Sequence, residues 1–64
     1  MMKKKKELIK KIAGIAPDPA FIQYIYYMLS EDDQKEQLLE FIDQSEWLTK
    51  QQLNIKALDI HLGR

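Results

Sequence analysis

The amino-acid sequence predicts an all-α fold, a small bundle of three to four short helices, on three observations. Residues that lose little side-chain freedom in a helix dominate it: Leu, Lys, Gln and Glu are abundant, Val is absent and Thr occurs once. Apolar residues recur at three- and four-residue spacings in successive segments, which is the period of an amphipathic helix. Residues that start or stop helices separate those segments, among them Pro17, Pro19, Ser30, Thr49 and Gly63.

The first segment runs from about Lys5 to Ile15. Leu8, Ile9, Ile12, Ala13, Ile15 and Ala16 fall on one stripe at 100° per residue, and Lys10, Lys11 and Gly14 lie opposite. Lysines at its start oppose the helix macrodipole, so residues 1 to 5 are expected to form a frayed basic arm. Pro17 and Pro19 end the segment, because a proline disfavours the helical conformation in the residue before it.

Asp18 and Pro19 then restart the chain as a helix over about Pro19 to Leu29. The carboxylate accepts orphan backbone donors, and proline at the first helical position loses no hydrogen bond. Phe21, Ile22, Ile25, Tyr26, Met28 and Leu29 form its apolar stripe, with Tyr24 and Tyr27 as neighbours on the other side. Ser30 is the expected cap of a third helix reaching about Gln44, with Asp33 in the capping-box position and Glu31 and Asp32 in the first turn. Leu38, Leu39, Phe41 and Ile42 form its buried face.

The sharpest local signal is the Thr49-x-x-Gln52 capping box, with Leu48 placed to staple onto Leu53. It predicts a fourth helix over about Lys50 to Leu62, terminated at Gly63. Leu53, Ala57 and Ile60 lie on one face of this helix, and Ile55, Leu58 and Leu62 lie nearly opposite. A helix with two apolar faces needs two partners. The alternation of Leu58, Ile60 and Leu62 with Asp59, His61 and Gly63 is also a strand pattern. Helix is preferred over an exchanged strand, since a lone strand has nothing to pair with unless another chain supplies it.

The 64 residues form one expected domain, 1–64, with 45% apolar and 31% charged residues. Chains of this size remove only about 60% of their unfolded surface from water, so stability is thin. No cysteine is available for a disulfide, and the single histidine cannot make a structural zinc site. Association with a second copy or a partner is the expected extra source of stability. The lack of cysteine suits a reducing compartment, and Lys10 and Lys11 interrupt the apolar run of a secretory signal, so a cytoplasmic location is expected. Net charge is zero but unevenly spread: residues 1 to 16 carry six Lys against Glu7, and residues 17 to 47 carry eight acids against Lys35. Such a chain can pair its basic and acidic regions internally or between copies.

Catalytic chemistry finds no support in these residues. There is no phosphate loop, nucleophile turn or paired histidine motif, and no catalytic, cofactor-binding or metal-ligating residue is expected. His61 reads as a partly exposed helix-end residue interacting with the last carbonyls. Membrane association is disfavoured, because the first helix is short, lacks Trp and Phe, and needs its apolar face for the core.

Two functional readings remain. In the first, the chain is a protein-protein interaction module that associates with a second copy through Ile55, Leu58 and Leu62, with Tyr24 and Tyr27 at the edge. Trp47 is expected to plug the bundle between the third and fourth helices. In the alternative, the C-terminal segment splits at Leu53-Asn54 into a helix-turn-helix. Lys50, Lys56 and Arg64, with Lys3, Lys4, Lys5 and Lys6 as a basic arm, then face nucleic-acid phosphates. Zero net charge and the acidic central segment weigh against it.

Overall fold

A computed structural model describes residues 3–63 of the chain, with side chains from Lys6 onward. Residues 1 and 2 of the expected arm, the side chains of Lys3, Lys4 and Lys5, and Arg64 lie outside the described residues, and the backbone of residues 3 to 5 is part of the first helix. Helix α1 covers Lys3–Ile15 and presents Leu8 and Ile12 to the interior, followed by Ala16, whose amide still bonds the Ile12 carbonyl at 2.8 Å. Ile9, assigned to the same stripe by spacing, is 38% exposed. The stripe is narrower than its sequence suggests, because residues at i, i+4 and i+8 alone reach the centre of so small a bundle.

Helix α2, Pro19–Met28, begins as expected with an extended Asp18 whose carboxylate accepts from the Ala20 amide at 3.1 Å. Phe21 and Ile25, with Leu29 just past the helix, repeat the same spacing inward. Helix α3 covers Asp32–Gln44, and here the expected cap is corrected. Glu31, not Ser30, occupies the cap position, and it makes no side-chain cap bond. The carboxylates of Asp32 and Asp33 lie in the first turn, where the helix dipole favours negative charge without a capping bond.

Helix α4, Lys50–Leu62, contains the complete capping box. Thr49 Oγ1 accepts from the Gln52 amide at 3.1 Å, and the Thr49 amide donates to Gln52 Oε1 at 3.0 Å. Gly63 closes the helix in the left-handed region at φ 76°, which residues with a Cβ rarely adopt. Residues 53 to 62 are helical, so the strand alternative is set aside, and no strand occurs among the described residues. The helix also runs unbroken through Leu53-Asn54, so the split required by the helix-turn-helix reading is absent.

Each helix packs chiefly on two others, in the cyclic order α1, α2, α4, α3, so that α1 and α4 lie across the bundle from each other. The result measures 26 × 24 × 24 Å. Its core gathers Leu8, Ile12, Ile25, Leu29, Leu38 and Leu53, all with no exposed surface, from all four helical segments. Gln34 Nε2 donates to the Ile60 carbonyl at 3.4 Å, which ties the start of α3 to the end of α4.

Candidate interaction surface

The position of α4 defines the surface. Its inner face, Leu53, Ala57 and Ile60, is buried against the neighbouring helices. Half a helical turn away, Ile55 and Leu62 are each 53% exposed, and Leu58 is half-buried at their side. Two grooves flank this outer face.

The groove toward α2 is lined by Phe21, Tyr24, Lys50, Gln51 and Asn54 and encloses about 450 Å³. Lys50 Nζ lies 5.0 Å from the centre of the Phe21 ring and 3.4 Å from Asp18 Oδ2. The Lys50 ammonium holds the Asp18 carboxyl below its usual value of 3.8, and amides at the start of α2 act the same way against partial desolvation. Asn54 is half-buried, and its Oδ1 is buried with no hydrogen-bond partner. The groove toward α3 encloses about 240 Å³ among Phe41, Leu48, Gln52, Ile55, Lys56 and Asp59, with Lys56 Nζ 5.1 Å from the Phe41 ring centre.

The residues expected to form an interface are thus only partly brought together. Tyr24 joins the α4 surface through the Phe21 groove, at 6.3 Å between ring centres. Tyr27, 74% exposed, lines a separate groove with Ile9, Pro19, Ile22, Gln23 and Tyr26. The two tyrosines are helical neighbours, but α1 and α4 flank different sides of α2, and the packing directs each tyrosine to a different flank. Trp47 is 82% exposed and is not the expected plug. Leu48, in the same linker, packs against the core instead.

Three residues outside the expected interface also shape the molecule. Lys35 is buried within the acidic segment; its Nζ donates to the Leu29 carbonyl and lies 4.8 Å from the Tyr26 ring centre. Its signal was present in the spacing, since Lys35, Leu38, Leu39 and Ile42 form one continuous stripe. Lys11 Nζ meets Asp43 Oδ1 at 2.6 Å, and that bond and charge raise the lysine above its usual value of 10.5. This contact is the internal pairing of basic and acidic regions, and as an exposed ion pair it contributes little to stability. Asn54 carries no comparable signal, because an amide at the edge of an apolar face reads as ordinary solvation.

Among the described residues no cluster of three His, Cys, Asp or Glu side chains is placed to hold a metal, and no helix is long and apolar enough to cross a membrane. His61 is exposed in the last turn of α4. No family model, curated protein or solved structure matches this chain.

Proposed function

We propose that this chain is a cytoplasmic protein-interaction module without catalytic activity, and that its first partner is a second copy of itself. The observation that carries the proposal is the outer face of α4, where Ile55 and Leu62 stay half exposed while the inner face is already satisfied by the bundle. Tyr24 shares a groove with Lys50, Gln51 and Asn54 of that helix, Trp47 is exposed three residues before its start, and large side chains with few rotors are favoured at contact surfaces. Half-exposed aliphatic residues contribute about 1 kcal/mol each when covered, against a penalty for lost translation and rotation of at least about 4 kcal/mol. Ile55 and Leu62 alone do not offset that penalty, so the association expected draws on further area of the same surface.

The lysines described on α4 support this reading over nucleic-acid binding. Lys50 is paired with Asp18 and lies over Phe21, and Lys56 lies over Phe41, so both already have partners within the fold. Sedimentation velocity of the chain tests the proposal. A concentration-dependent dimer that Ile55→Asp and Leu62→Asp abolish, with helical circular dichroism retained, is the expected result. A monomer at tens of micromolar rejects it. Salt-sensitive binding of a mixed DNA or RNA pool by that monomer would put the nucleic-acid reading in its place.

A further inference from the structure

Trp47 and the groove between α2 and α4 have complementary chemistry, and each is unsatisfied within one copy. The indole is 82% exposed and carries one N–H donor and no acceptor. The groove is lined by the Phe21 and Tyr24 rings, the Lys50 side chain and Asn54, whose Oδ1 is buried without a hydrogen-bond partner. We infer that Trp47 of one copy inserts into the Phe21–Tyr24–Asn54 groove of a second copy, an inference that rests on the self-association proposed above.

Four features commit the groove to this occupant. First, a buried oxygen with no partner costs free energy until a donor arrives, and the terminal torsion of an asparagine is soft enough to turn that oxygen toward the groove mouth. An aliphatic occupant would leave it unpaired, whereas an indole supplies the donor on a flat apolar body. Second, Trp47 is three residues before Lys50, so indole and groove lie at the same end of α4. One two-fold axis near that end fills both grooves at once, as an isologous contact requires. Third, the exposed Glu46 travels with Trp47 and brings a carboxylate beside Lys50, whose exposed 3.4 Å pair with Asp18 uses one of the three ammonium donors.

The fourth feature is area. A stable dimer takes about 600 to 800 Å² from each partner, and one tryptophan brings about 150 to 250 Å². Ile55 and Leu62, already half covered, fall well short of that range, and Trp47 has the greatest exposed fraction of the large apolar side chains left among the described residues to extend them. Gln51 both lines the groove and continues the Ile55 and Leu62 stripe one turn earlier, so the two contacts form one surface.

The chain contains a single tryptophan, which makes its fluorescence a report on this one site. The experiment follows tryptophan emission and iodide quenching across the concentration range in which sedimentation resolves monomer and dimer. The expected result is a blue shift and loss of quenching that track the dimer fraction. Trp47→Ala then weakens association by about 30-fold, as removal of a central aromatic anchor does. Asn54→Leu weakens it by about 10-fold while leaving monomer unfolding unchanged or slightly more resistant to urea, because it removes the orphan acceptor.

A dimer whose tryptophan stays quenchable, or that Trp47→Ala leaves intact, overturns the inference and leaves self-association standing. A blue-shifted tryptophan in a monomer at every concentration overturns it in favour of closure within one copy. A monomer with exposed tryptophan throughout overturns both proposals.

Discussion

Two side chains of the same chemical class, Leu53 and Ile55, sit two residues apart on α4 and meet opposite surroundings. Leu53 has no exposed surface, and Ile55 is 53% exposed. Lys35 is the converse, an ammonium-bearing residue that is only 7% exposed. Hydrophobicity ranks residues by their average tendency, but the direction a side chain faces is set by where neighbouring helices lie. In a ring of four short helices each has two main neighbours, so α4 can cover one apolar face within the chain and has none of its own to cover the other. Lys35 enters the interior because its stripe position faces the α2 end, where a free carbonyl and an aromatic face await a cation.

The largest way to break this comparison is at its two poles. Leu53→Ala removes a fully buried side chain and is expected to lower unfolding free energy by about 2 to 5 kcal/mol, read from urea denaturation followed by circular dichroism. Ile55→Ala, measured in the monomer, is expected to change it by less than about 0.5 kcal/mol. Equal losses at the two positions would show that both faces are buried within one copy.

Lys35 sharpens the same contrast from the polar side. Lys35→Ala leaves the Leu29 carbonyl without its charged donor and is expected to cost about 2 kcal/mol in the same measurement. Lys35→Met keeps most of the methylene contacts and is expected to cost less, so the difference between the variants isolates the ammonium from its stem. A null effect for alanine would make the buried position incidental.

The smallest expected effect is on pH. The Asp18 carboxyl is held below its usual value of 3.8 in the folded chain, so its contribution is fully present above that value and is lost as pH falls through the lower, folded one. Stability is therefore expected to fall below about pH 4, with a shallower fall in Lys50→Met, which removes the first cause of the shift. The two proteins tracking each other through that range would remove the Asp18–Lys50 contact from the account.

The helices were legible in the sequence because their ends are marked by short-range chemistry. Asp18-Pro19, Thr49-x-x-Gln52 and Gly63 satisfy backbone groups within one turn, and no distant residue is needed to interpret them. Ser30 misled because the chain out of Leu29 stays extended one residue further before the helix begins. That stretch ends with Glu31 extended at φ −98° and ψ 145°. The candidate surface was legible only where periodicity sufficed. Ile55 and Leu62 follow from the helical wheel of α4, whereas Trp47 lies in a non-helical linker whose side-chain direction depends on how α3 and α4 meet. Tyr24 and Tyr27 show the same limit, since spacing makes them neighbours but does not reveal which helix flanks each.

Lys35 also gives the corner between α2 and α3 a built-in chemical clock. Its amine is engaged with Leu29, whereas Lys6, Lys10, Lys11 and Lys50 stand at the surface, so an acylating reagent reaches it only when that corner transiently opens. Its slow labelling, followed peptide by peptide in a mass spectrometer, would measure how often the two helices part while the rest of the fold remains assembled.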